Sequence, residues 1–130
     1  MANVTADMIL SFQADEMTGT VQERREWKNP SPDDNFGAQM INIDLSDADE
    51  VTINIGVGTE SYTGSVILPV DSTPKTVYMN SVYQNNRIFT VRPDGVQCGN
   101  GEQTQGSGWQ TNNSVVKPMS IYSRKIIGGL

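Results

Sequence analysis

Hydrophobic and polar residues alternate with a period of two along most of this chain, and that is the signature of half-buried β-strands. In "EVTINIGVG", Val51, Ile53, Ile55 and Val57 share one face, and Thr52, Asn54, Gly56 and Gly58 share the other. "AQMINIDL" sets Gln39, Ile41, Ile43 and Leu45 against Met40, Asn42 and Asp44. The short acidic link "SDADE" between them suits a hairpin turn. "SYTGSVILPV" is a further strand, ended by Pro69 and the turn-rich "DSTP". "KTVYMNSVY" and "RIFTVRP" flank "QNNR", where Asn85 and Asn86 suit the left-handed backbone of a tight hairpin. Pro93-Asp94-Gly95 makes another turn, and "SIYSRKII" supplies a last strand before Gly128-Gly129.

The beginning of the chain reads two ways. "VTADMILSF" alternates Val4, Ala6, Met8, Leu10 and Phe12 as a strand would, yet "ADMILSFQADEM" also suits a short helix with Met8, Ile9 and Phe12 inward. "GTVQERREW" alternates again, with polar residues on both faces, as in an edge strand or an arm leaving the body. "NPSPDDNFG" reads as a linker because Pro30 and Pro32 forbid regular pairing. About eight strands at roughly 8–12-residue spacing, with no strong helix, predict an all-β fold. The expectation is one antiparallel β-sandwich or small jelly-roll-like barrel, with an N-terminal arm or edge strands over 1–28, a linker over 29–37 and the β-domain over 38–130.

Composition narrows the chemistry. The 130 residues fit one domain able to bury on the order of two thirds of its unfolded surface. The net charge of −6 is lopsided: residues 1–60 hold 12 acids and 3 bases (net −9), and residues 61–130 hold 3 acids and 6 bases (net +3). This describes either a solvated acidic face or a bipolar surface that pairs with a basic partner or a second copy. Net acidity and scattered bases argue against nucleic acid. No histidine is present, which removes Ser-His-Asp and Cys-His nucleophiles and the usual nitrogen ligands of zinc. Cys98 is alone and cannot form an intrachain disulfide. The opening "MANVTADMILSF" lacks the basic and long apolar regions of a signal peptide, and no segment has the ~20 apolar residues of a membrane helix.

Two stretches invite a functional reading. "DLSDADE" gathers Asp44, Asp47, Asp49 and Glu50, but its spacing is not that of an EF-hand loop, so a solvated turn is expected and no metal. Fifteen acids make some carboxylate pair inevitable, so they are no sign of a glycosidase. The second stretch is "GNGEQTQGSGWQTNN", residues 99–113, where Trp109 stands among glycines and amides with Glu102 as the single charge. It is no phosphate loop, because no Gly-Lys-Ser/Thr follows. Either Trp109 folds back to plug the core, or it is exposed and docks on a partner amid Gln103, Gln105, Gln110 and Asn112. A long loop without structure of its own is usually functional or disordered, which makes a contact arm that orders on binding a better reading than an active site and leaves the core plug as the alternative. The candidate contact residues are Trp109, Gln105, Gln110, Asn112, Met8 and Phe12. No catalytic residue and no cofactor is expected.

An acidic, histidine-free, cysteine-poor β-domain with a strand-like N-terminal stretch ("MANVTADMILSF") and loops rich in Asn, Gly, Thr and Gln resembles the capsid decoration (cement) proteins of tailed bacteriophages. The resemblance is one of composition over the whole chain. It implies a structural protein of the virion surface, made in the host cytoplasm, that trimerises and clamps neighbouring subunits of the major capsid protein or other virion proteins. Tail, neck or fibre components are related alternatives. A carbohydrate-binding β-sandwich is a different class that also fits, with Trp27, Trp109, Tyr62, Tyr78 and Tyr83 available to stack on sugars.

Overall fold

Alternation becomes a strand in almost every place where it is regular. A computed structural model of the chain describes residues 20–57, 61–81, 85–105 and 108–127. Among these residues there is no helix, and nine strands follow one another: β1 (Thr20–Lys28), β2 (Gln39–Asn42), β3 (Glu50–Val57), β4 (Ser61–Pro69), β5 (Lys75–Ser81), β6 (Asn85–Arg92), β7 (Gly95–Gln105), β8 (Gly108–Thr111) and β9 (Lys117–Ile127). They form two antiparallel sheets packed face to face, a β-sandwich. The first sheet runs β1-β9-β3-β4. The second runs β2-β7-β6-β5, with β8 paired to the far half of β7. The last strand lies between β1 and β3, a return across the sandwich like that of a jelly roll.

Each sheet turns its apolar phase inward. Val51, Ile53, Ile55 and Ile121 of the first sheet meet Ile41, Met79, Phe89, Val91, Val96 and Cys98 of the second. Phe36, Leu45, Val115 and Val116 close the core from the links between the sheets. At about 1.5–3 kcal/mol for each fully buried side chain, this two-sided apolar layer is what holds the sheets together. Gly95 is required by close approach: it has φ +145°, and a Cβ there would overlap the carbonyl oxygen of Ile41 on β2.

Several expectations change. "SDADE" does not close a hairpin, because β2 and β3 belong to different sheets and the link carries the chain across the sandwich. Leu45, fully buried, is pulled into the core at that crossing. The β5–β6 hairpin forms, but Asn85 and Asn86 are strand residues paired with Ser81 and Asn80. The turn itself lies outside the described residues. Of the two readings of residues 20–28, edge strand and arm, the edge strand holds. These residues form β1, the edge of the first sheet, hydrogen-bonded to β9 from Thr20↔Ile127 to Lys28↔Ser120. Met8 and Phe12 lie outside the described residues.

The stretch expected as a linker is built into the body. Asn29 is buried; its amide donates to Met119 O at 2.9 Å and its Nδ2 to Pro118 O at 3.0 Å. Phe36 is also buried and packs edge-to-face with Trp27, with ring centroids 5.8 Å apart at 76°. The prolines do forbid pairing, and side-chain hydrogen bonds take over the work that a ladder would do.

Candidate interaction surface on the β7–β8 hairpin

The base of the hairpin is a buried cation. Arg87 on β6 is in phase with Phe89 and Val91, so the strand points its guanidinium into the sandwich, where it is wholly buried. Among the described residues, no carboxylate meets it. Nε donates to Val116 O at 3.0 Å; Nη1 donates to Phe36 O at 2.6 Å and Gly99 O at 2.8 Å; Nη2 donates to Val115 O at 2.9 Å and Asn113 O at 3.2 Å. Five backbone carbonyls from three chain segments therefore converge on one planar fork, a geometry lysine cannot reproduce. Burial lowers the Arg87 guanidinium below its ordinary value, and the neighbouring Cys98 opposes that shift.

The surrounding backbone is shaped to fit the fork. Val116 holds φ 48°, an uncommon and costly conformation for a β-branched residue, and its carbonyl accepts from Arg87 Nε. Gly101 faces Arg87 across the ladder. A Cβ there would overlap Asn112 O and stand 2.7 Å from Arg87 Nη2 and 2.9 Å from Val115 O. Lys117 repeats the device at the start of β9. It is buried in phase with Met119 and Ile121, and its Nζ donates to the carbonyls of Pro32 and Asp34. The two cations tie the 29–38 and 112–116 links to the sheets.

Above that base, β7 and β8 pair from Glu102↔Thr111 to Gln105↔Gly108. The segment expected to lack structure is thus largely a hairpin. Its alternation is polar on both faces, so hydrophobic periodicity could not reveal it. Asn112 fastens the foot: its Nδ2 donates to Gln103 Oε1 at 2.9 Å, and its Oδ1 accepts from the Ser114 amide at 3.0 Å and the Ser114 hydroxyl at 2.6 Å. Gly101 N donates to Asn113 Oδ1 at 2.9 Å.

Of the expected contact residues, Trp109 and Gln110 are exposed on β8, all four of whose residues are exposed. Trp109 is 53% exposed, so it does not plug the core. Asn112 is engaged within the hairpin rather than offered to a partner. Gln105 is in the ladder opposite Gly108, and its side chain lies outside the described residues. Register places Trp109 on the outer face of the second sheet beside Thr104, with Glu102, Asn86 and Asn80 in the adjoining rows. Tyr78, 63% exposed, shares that face. Trp27 is not available to a sugar, being packed on Phe36; the side chains of Tyr62 and Tyr83 lie outside the described residues.

The acids of "DLSDADE" have partners within the chain. Asp44 caps its own turn, with the Ser46 hydroxyl first and then the Ser46 amide holding its carboxyl below the usual range. Asp47 pairs with Lys125 at 3.5 Å, Asp49 accepts from Ile126 N at 2.7 Å, and Glu50 pairs with Arg124 at 3.1 Å. Arg124 also binds Glu23 at 2.5 Å, so one guanidinium bridges β1 and β3 across β9. Through Arg124 and Lys125 the acidic half thus meets part of the basic half inside one chain.

Sequence reading did not single out Arg87 or Lys117. The signal was there: each falls on the apolar phase of its strand. A cleft of about 500 Å³ opens beside β1, with Glu23, Glu26, Asp44 and Asp47 set against Arg24 and Lys125. Ion pairs Arg24–Glu26 at 2.9 Å and Lys125–Asp47 at 3.5 Å lie along its wall. Comparison of the chain with known protein families, with curated proteins and with solved structures finds no match.

Proposed function

We propose that this chain is a non-catalytic interaction protein of the virion-structural kind, a capsid decoration (cement) protein that docks on neighbouring shell subunits through the outer face of the β7–β8 hairpin. The observation that carries the reading is Trp109: a large ring, more than half exposed, raised on a strand whose other residues are also exposed. Buried aromatic anchors dominate protein interfaces, and truncating one typically costs ≥ ~2 kcal/mol of binding. The Arg87 base supports the same reading, because a rigidly held hairpin loses little entropy on docking. The thiol of Cys98, buried and pushed up to about 11, offers no nucleophile. The test is co-sedimentation with shells of the source virus. Wild type should pellet with the shells, and Trp109→Ala should stay in solution with its melting temperature unchanged. Equal pelleting of both proteins, or of neither, would refute the reading.

A second reading rests on a different observation. Tyr78 and Trp109 flank Asn80, Asn86 and Glu102 on one sheet face, a mix of rings, amides and a carboxylate suited to a neutral glycan. A saturable shift of tryptophan emission on titrating neutral polysaccharides, lost in Tyr78→Ala and Trp109→Ala, would select it.

A further inference from the structure

The edges of the two sheets are not equally protected. On the outermost strand of the first sheet, β1 carries Glu23, Arg24, Arg25, Glu26 and Lys28 and is bulged between Arg25 and Trp27. Charge and bulges are the ordinary guards against edge pairing. At the opposite side of the sandwich β4 ends in Pro69 and approaches β5. Among the described residues, the edge formed by β8 has none of these guards. "GWQT" contains no charge and no proline, its register with β7 is unbroken, and a Cβ on Gly108 would meet nothing within 4 Å.

The phase of the ladder shows which groups this edge offers. Asn112 N donates to Gly101 O at 2.7 Å, so the N–H groups of residues 112, 110 and 108 face β7. Antiparallel hydrogen bonding alternates along a strand, so the N–H and C=O of Trp109 and Thr111 face away from β7.

From this we infer that β8 is a self-pairing edge: two copies of the chain join β8 to β8 antiparallel about a twofold axis through Gln110. The outward groups of Trp109 then exchange two hydrogen bonds with those of Thr111 of the second copy, and the reciprocal pair makes two more. The side chains fit the register. Trp109 stands beside Thr111 of the second copy, an aromatic–β-branched pair, and the two Gln110 amides face each other. No charge opposes a like charge, whereas "ERRE" on β1 would set Glu against Glu and Arg against Arg in its own palindromic register. β8 and β2 lie on the same side of β7 along different stretches of it, so β2 does not pair over the β8 edge.

This contact uses the backbone edge and leaves the outer face free, so it stands apart from the docking of Trp109. It brings the two Trp109 residues to roughly 8 Å apart in Cα position on one continuous face, from the strand and residue spacings of a sheet. An isologous contact closes at two copies, in place of the threefold assembly expected from the sequence.

A four-residue edge lies at the small end of interface sizes, which sets self-association on the order of 0.1 mM. Sedimentation of the whole chain from 10 µM to 1 mM, concentrations chosen to span roughly that value, should show the mass rising from 14.2 kDa towards twice that. Thr111→Pro removes an N–H that faces solvent in the single copy, a position an edge strand tolerates. Gln110→Lys sets like charges opposite on the axis. Each should weaken self-association tenfold or more against roughly 0.1 mM, so that about half or more of the chain is monomeric at 1 mM where about a fifth of wild type is, with melting temperature retained. A wild-type mass constant to 1 mM, a trimer mass, or dimerisation by both variants as strong as wild type would overturn the inference. Shell binding by a monomeric Thr111→Pro protein keeps this outcome separate from the fate of the docking proposal.

Discussion

Replacing Arg87 by methionine should remove a large part of the protein's stability. Exchanging a buried ion for a hydrophobe is often harmless when the ion's partner is another removable side chain. Here the partners are the carbonyls of Phe36, Gly99, Asn113, Val115 and Val116, and no mutation at 87 takes them away. A buried polar group stripped of its partner costs about 1–3 kcal/mol. Five carbonyls at the low end of that range come to about 5 kcal/mol. Relief from desolvating the guanidinium offsets part of this, and a net loss of about 4 kcal/mol is expected against a total domain stability of about 5–15 kcal/mol. Arg87→Lys keeps a charge but places three donors on one nitrogen, so a loss of about 2–3 kcal/mol is expected. Urea unfolding followed by Trp27 fluorescence measures both, because Trp27 packs on Phe36, whose carbonyl Arg87 holds. A Trp109→Phe background removes the exposed emitter. A loss below about 1 kcal/mol for Arg87→Met would refute the view that this cation organises the links.

Cys98 should resist thiol reagents in the native protein at pH 8 and react only on unfolding, which timed labelling in and out of urea reads directly. Burial raises its folded pKa to about 11, above the ordinary 9.0. The native state therefore keeps full stability below pH 9 and loses it as pH rises from 9 towards 11, by up to roughly 2–3 kcal/mol. Urea midpoints taken from pH 8 to 11 should fall accordingly, and Cys98→Ala should flatten the fall. Gly101→Ala places a methyl against Asn112 O and Arg87 Nη2, so a loss of about 2 kcal/mol or more is expected from thermal unfolding. Trp109→Ala should change stability by less than about 0.5 kcal/mol, since the ring is mostly in solvent. Amides of Gln103 and Gln110 should be protected from hydrogen exchange in the isolated protein, because both residues lie in the β7–β8 ladder.

The alternation of Val51, Ile53 and Ile55, and of Phe89 and Val91, was enough by itself to specify an all-β chain, because a period of two buries one side of a strand whatever the topology. Pro93-Asp94-Gly95 marked its turn for a local reason as well, the backbone freedom of glycine. Which strands pair was not legible. "SDADE" looks the same whether it closes a hairpin or crosses between sheets, and the choice falls to Leu45 and to the competition of β7 for β2. Trp109 stood out in the sequence, but its exposure did not. That depends on β8 pairing with a part of β7 that lies beyond the apolar core. Asn112 carried the same amide as Gln110, and only tertiary hydrogen bonds made one a fastening and left the other at the surface. Arg87 and Lys117 are the sharpest case. Their phase put them on the inner faces, yet a cation is stable there only if carbonyls from distant segments converge on it, and that convergence exists only in the folded chain.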